Sequence, residues 1–144
     1  AKFEERTKAR GVDRLATIGD AYIAVSRADA AEAAETDSAA KTAAISARFN
    51  KLFLMATEMS ALCARVGLDM RFGIAHGPVA SGLLGPTDLP VWRSWGRGYI
   101  RCQQLEALSQ PRCIAMDAGD LAGLKVAHQV RACPDCHGVV LITV

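Results

Sequence analysis

The chain has 144 residues, enough for one domain and too few for two. Its hydrophobic fraction is 51%, but 26 of these residues are alanine, so large core formers are scarcer than the fraction suggests. Seventeen basic and fifteen acidic side chains leave a charge of +2, which makes no electrostatic case for nucleic acid or an anionic membrane. Aromatics at 6% argue against a stacking platform for single strands. No run of 18 apolar residues is available to cross a bilayer, and the opening AKFEERTKAR is charged and helix-like, without the apolar core of a signal peptide. Five cysteines (Cys63, Cys102, Cys113, Cys133 and Cys136) are an odd number at irregular spacing. That pattern is not a secreted disulfide framework, and the expectation is a reducing cytoplasm with most thiols acting as small apolar residues.

In chain order, residues 1–9 read as a helix, stopped by Gly11. Leu15 and Thr17, then Tyr22 and Ala24, read as two strands joined by a Gly19-Asp20 turn. Residues 27–44 are rich in alanine and acids. No apolar stripe decides there between a loop and a solvated helix. From Ile45 a helix is clear: Phe49, Leu52, Phe53, Ala56, Met59, Leu62, Cys63 and Val66 recur at helical steps as one buried face, and Gly67 ends it. Met70 to Gly85 is a glycine-rich strand and turn, followed by a loop from Pro86 to Pro90. Tyr99 to Leu108 reads as a helix with Ile100, Leu105 and Leu108 facing inward, Cys113 to Met116 as a strand, and Asp117 to Leu124 as a helical turn. Val126–Arg131 and Val139–Val144 form a closing hairpin around Cys133-Pro134-Asp135-Cys136-His137-Gly138. The order favours a single sheet with helices on one face.

Two segments carry a family resemblance. Thr17-Ile18-Gly19-Asp20-Ala21-Tyr22 resembles the TIGDAY hairpin of class III nucleotidyl (adenylate and guanylate) cyclases. Arg71-x-Gly73-Ile74-x-x-Gly77-Pro78-Val79-x-x-Gly82-x-x-Gly85 resembles their RIGIHTGPVVAGVVG strand and turn, and Trp95-Gly96 through Leu105-Glu106 aligns without gaps on their WGDTVNLASRME block. The resemblance implies an α+β fold, a ferredoxin-like β-α-β-β-α-β core with an added C-terminal hairpin. It implies a head-to-tail dimer, with itself or with another cyclase domain, whose pocket lies between chains. Family members convert ATP or GTP to a cyclic nucleotide and pyrophosphate, with two aspartates holding two Mg²⁺ or Mn²⁺ ions that activate the ribose 3′-oxygen and neutralise the triphosphate.

By this resemblance residues 1–144 are one cyclase homology domain, truncated at the N-terminus, because the strand carrying the first metal aspartate should precede residue 1. The second metal aspartate matches Asp20, which also suits a turn for its own backbone chemistry. The other slots are replaced. Ala16 stands where adenylate cyclases have a base-reading lysine, and Arg93, or a neighbour, stands where its partner aspartate falls. Ile100 takes the place of the asparagine that orients the ribose, and Gln104 that of the arginine on the phosphates. Losing one such preorganised donor typically costs about 10²–10³ in rate. The expectation is a cytoplasmic pseudocyclase, or the cytoplasmic part of a larger protein, acting as a dimerising regulatory half. The replacements argue against nucleotide binding, with Mg²⁺ or Mn²⁺ as cofactor only where activity survives. An active cyclase with unusual recognition, or with a partner chain, is the alternative.

Arg93, Arg97 and Arg101 recur every four residues, either as a strip that grips phosphate (Arg97 replacing the usual acid) or as a solvated helix face. His76 lies in the IHTG-like segment with no nucleophile placed to partner it, and reads as structural. Cys133, Cys136 and His137 have the CxxCH form of haem attachment, but the chain shows no export signal. They are three candidate zinc ligands or a redox pair, against the simpler reading of an ordinary turn. A small metal or redox module there is the third functional class.

Overall fold

The computed structural model describes residues 2–125 and 129–144. Helix α1 spans Lys2–Ala9, and Gly11, at φ +61°, ends it in the left-handed conformation while the Val12 N–H bonds back to the Thr7 carbonyl at 2.9 Å. Strands β1 (Asp13–Ile18) and β2 (Ala21–Val25) form the expected hairpin, with Gly19 at φ +60° in the turn. Phe3 of α1 meets Tyr22 edge-on at 5.6 Å, and Val12, Met55 and Met59 form a small core that ties this end of the chain to the long helix.

The alanine-rich stretch is helical, in two pieces. Helix α2 (Ala30–Ala34) starts at a reciprocal capping box between Asp29 and Glu32. Helix α3 runs Ser38–Ala64, seven residues earlier than its apolar stripe shows, because the Asp37 carboxylate caps the free N–H groups of Ala39 and Ala40. An Arg48–Glu32 ion pair fastens α2 to α3. Phe49, Phe53, Ala56 and Met59 are buried as expected, joined by Met55 and Ser60, whereas Val66 lies beyond the helix and is 71% exposed. The helix closes on Gly67 (φ +73°), with the Leu68 N–H on the Cys63 carbonyl at 3.0 Å.

The main sheet has four strands in the order β3-β6-β8-β7: Arg71–Gly73, Cys113–Asp117, Val139–Thr143 and Val130–Ala132. β3 runs parallel to β6, and the other pairs are antiparallel. Ile114 and Met116 pack with Ile142 under Phe49 and Phe53 of α3. Ala115 packs with Val139 and Leu141 under Leu105 of helix α4 (Arg97–Leu108). Side chains alternate along a strand, so the two helices cover opposite faces, and the expectation of helices on one face is corrected. All of this makes an α+β fold. A 3₁₀ turn, Ala118–Gly123, follows β6, and the start of the closing hairpin at Val126 lies outside the described residues.

The expected single sheet is also corrected, because β1-β2 and a second hairpin, β4 (Ala80–Leu84) with β5 (Val91–Trp95), stand as separate two-stranded ribbons. The segment β5 follows Pro90 and was not anticipated as a strand. It leaves Leu83 at 64%, Leu84 at 51%, Trp92 at 53% and Trp95 at 44% exposure. Among the described residues the outer edges of β2 and β3 have no strand partner, and both face one cleft of about 1000 Å³, floored by α3.

Candidate functional site

Glycines position the site. A Cβ on Gly73 would overlap the Cys102 carbonyl and the Glu106 nitrogen, so β3 presses directly on the α4 backbone. A Cβ on Gly98 would lie 2.7 Å from the Gly77 oxygen, and the Gly98 N–H donates to the Pro78 carbonyl at 3.1 Å. The His76-Gly77-Pro78 loop therefore crosses the first turn of α4 at backbone contact distance, which sets the direction of every α4 side chain.

On α4, Arg101 does not reach free into solvent. Its Nε donates to Asp117 Oδ2 at 3.1 Å, a second nitrogen donates to Asp117 Oδ1, and a third bonds Gln104 Oε1 at 3.3 Å. The two-pronged carboxylate bond to Asp117 raises the Arg101 pKa against the opposing effect of burial, with a lesser contribution from the Cys136 side chain. Nearby, burial pushes the Asp120 carboxyl up, helped by the charge of Asp117 and opposed by His76. Burial also pushes up the Cys102 thiol. An Arg71–Glu106 ion pair at 2.9 Å ties β3 to α4.

The residues expected from sequence are scattered differently from the basic strip that their spacing suggests. Arg93 lies on β5 opposite Gly82, Arg97 opens α4, and Arg101 is held by Asp117, so the three are not one helix face. Ile100, expected inward, is 53% exposed, because five positions from Leu105 is about 140° around a helix. Gln104 is exposed and bonded to Arg101, and Ala16 sits half-buried at a bulge in β1. Asp20 is exposed at its hairpin tip and lines the cleft beside β2. Ala16, Arg93, Arg97, Ile100 and Gln104 do not line it, so this cleft lies apart from the substituted slots. Asp117 was not singled out from sequence, since it lies sixteen positions from Arg101 and only β6 packing on α4 brings them together.

For divalent ions the donor set does not fit. Among the described residues no three His, Cys, Asp or Glu side chains gather to hold a metal, and Asp20 alone is a weak monodentate ligand. Cys133 is buried, Cys136 half-buried and His137 exposed at the β7–β8 turn.

An α+β domain with a glycine-pinned helix behind a TIGDAY hairpin defines the class III cyclase type of catalytic domain. Residues 1–134 match the adenylate and guanylate cyclase catalytic domain family, and the chain belongs to it. It is 29% identical over 133 residues to a membrane guanylyl cyclase of Dictyostelium discoideum, covering 92% of this chain and 8% of that protein. The catalytic core of a rhodopsin-guanylyl cyclase with converted specificity, solved with ATPαS, superposes with a TM-score of 0.67 at 19% identity, over 99% of this chain and 77% of that one. A non-canonical dimeric guanylyl cyclase domain of the RhoGC fusion protein from Blastocladiella emersonii superposes at 0.66 with 19% identity, over 98% and 73%. The chain thus spans less than a tenth of its curated relative and about three quarters of the solved domains. No described helix is long and apolar enough to cross a membrane.

Proposed function

We propose that this chain is a catalytically impaired cyclase domain that acts as a dimerising, regulatory half in cyclic-nucleotide signalling, in the cytoplasm or on the cytoplasmic part of a larger protein. The observation that carries this reading is the outer face of α4. There Ile100 and Gln104 replace the family's ribose and phosphate groups, and the nearest guanidinium, Arg101, is engaged by Asp117. Moving Arg101 onto a phosphate would break that two-pronged bond and strand a half-buried carboxylate. No step of phosphoryl transfer is therefore assigned to residues of this chain. What Asp20 offers is one carboxylate at a cleft edge, able to complete a metal site only with acids from another segment or partner.

The paired free edges of β2 and β3 support the further reading that a strand outside residues 1–144 belongs between them in the complete domain. The exposed apolar ribbon of Leu83, Leu84, Trp92 and Trp95 supports dimerisation, with itself or with another cyclase domain, since large exposed apolar patches mark association surfaces. The decisive assay incubates the purified chain with ATP or GTP and Mg²⁺ or Mn²⁺ and measures cyclic product. No product above a protein-free control is expected. Robust product that disappears in Asp20→Ala would establish the active-cyclase alternative instead.

A further inference from the structure

The CxxCH turn is absorbed by no part of the cyclase reading. Pro134 and Asp135 turn the chain between β7 and β8, with the Cys133 N–H on the Val139 carbonyl at 2.9 Å and the Val139 N–H on the Cys136 carbonyl at 3.4 Å. The first and last Cα atoms of such a four-residue turn lie within about 7 Å. A disulfide spans about 4.4–6.8 Å between Cα atoms. Both cysteines pack in the cluster of Leu105, Ala115, Val139 and Leu141, and both are free thiols. They differ in access: Cys133 is 6% exposed, whereas Cys136 is half-buried and its thiol donates to the His137 carbonyl at 3.6 Å. The Arg101 guanidinium, anchored by Asp117, is the cation beside the Cys136 sulfur. Access decides which sulfur peroxide meets first, the half-buried Cys136 ahead of the buried Cys133. Zinc is disfavoured, because His137 is exposed and no third ligand joins the two sulfurs among the described residues.

We propose that Cys133 and Cys136 are a reversible, peroxide-oxidised pair, with Cys136 the attacking sulfur and Cys133 the resolving one. The Cys136 thiolate attacks a hydroperoxide oxygen. An S–O bond forms as the O–O bond breaks, and the departing hydroxide takes up the thiol proton as water, leaving a sulfenic acid. The Cys133 sulfur then attacks Cys136 Sγ. The S–S bond forms as S–O breaks, and the second hydroxide leaves as water with the Cys133 proton. Two thiols and one hydrogen peroxide become one disulfide and two waters, and a low-molecular-weight thiol reverses the oxidation by exchange. The buried resolving sulfur protects the site from oxidation beyond the disulfide.

Trypsin separates the pair cleanly. Cleavage after Arg131 yields peptide 132–144 with both cysteines, while Cys63, Cys102 and Cys113 fall on separate peptides. The 144-residue chain is treated with graded hydrogen peroxide, labelled with a maleimide, digested and weighed. The expected result is that peptide 132–144 loses both labels and two hydrogens several-fold faster than the other three peptides lose theirs. Loss of label from all five cysteines together, or retention on 132–144, would overturn the proposal. In Cys133→Ser, dimedone should capture the stranded sulfenic acid on Cys136, and absence of that adduct counts against the order of attack. Arg101→Gln should slow closure several-fold in the wild-type pair, and an unchanged rate would remove Arg101 from the account.

Discussion

At the scale of single residues, Asp120 gives the most direct readout of the charge cluster at the end of β6. Its folded pKa is raised, first by burial and then by Asp117. Between its ordinary value of 3.8 and the raised one, the folded state holds more protons than the unfolded state. Its contribution to stability therefore falls as pH rises through that window and is unfavourable at neutrality. Asp120→Asn should melt slightly above wild type at pH 7, by no more than about 0.5 kcal/mol of stability. The gap should shrink as the pH is lowered towards 4. A thermal-melt series in which the advantage grows on acidification would contradict this. Arg101→Ala has the opposite sense: it leaves Asp117 without its two-pronged partner, and a loss of about 1 kcal/mol in urea titration is expected for a pair this exposed. These effects were beyond reach of the sequence, where Arg101 looked like one of three equivalent surface arginines. Its difference from Arg97 comes from a strand sixteen residues away. Asp20, by contrast, was legible as a turn residue, because a hairpin tip is set locally.

Among elements, the contact between β3 and α4 is the most sequence-determined. Gly73 is required because the helix backbone occupies the space of a side chain. Backbone cannot swing aside as a side-chain tip can, so Gly73→Ala should destabilise by about 1–3 kcal/mol, read as a lower denaturation midpoint with an unchanged m-value. A neutral result would mean that α4 can slide along the sheet. The strands and helices marked by glycine, by alternating apolar residues or by a short apolar run were readable: α1, the β1-β2 hairpin, the end of α3, and β6. The start of α3 was not, since alanine carries no stripe and the deciding feature is one capping carboxylate, Asp37. Nor was β5, since Val91-Trp92-Arg93-Ser94-Trp95 is short and buries neither face. Helices on both sides of the sheet were missed for a different reason. Which face a helix covers depends on chain crossings that periodicity does not encode.

For the whole molecule, the proposed dimerisation is tested at the β4-β5 ribbon, where Leu83, Leu84, Trp92 and Trp95 are exposed. Replacing Leu83 and Trp92 with aspartate adds charge to exposed positions and removes no core contact, so folding should be unaffected. In sedimentation at tens of micromolar, the parent chain should run as a dimer and the double variant as a monomer. A parent that is strictly monomeric, alone and with other cyclase domains, would end the dimerising reading. The expected seam on the ribbon leaves α3 packed on its own sheet, as Phe49 and Phe53 already are.

The parallel ladder between β3 and β6 also sets an order of assembly in time. Arg71 pairs with Cys113, so this ladder cannot close until the intervening ribbon and α4 have been placed, whereas the β1-β2 hairpin closes across one turn. Closing long loops is the slow part of folding, and local hairpins form in microseconds. The same difference separates the two regions once folded. Among the described residues, β6 lies between two partners under helices on both faces, while β2 has one partner and an open edge. In native-state hydrogen exchange, the amides of β6 and β8 should therefore open only with global unfolding, and those of β2 should exchange orders of magnitude sooner. Such a chain keeps a slow-exchanging half around α3, β6, β8 and α4 and a fast-exchanging half at its N-terminal hairpin, beside the cleft that Asp20 overlooks.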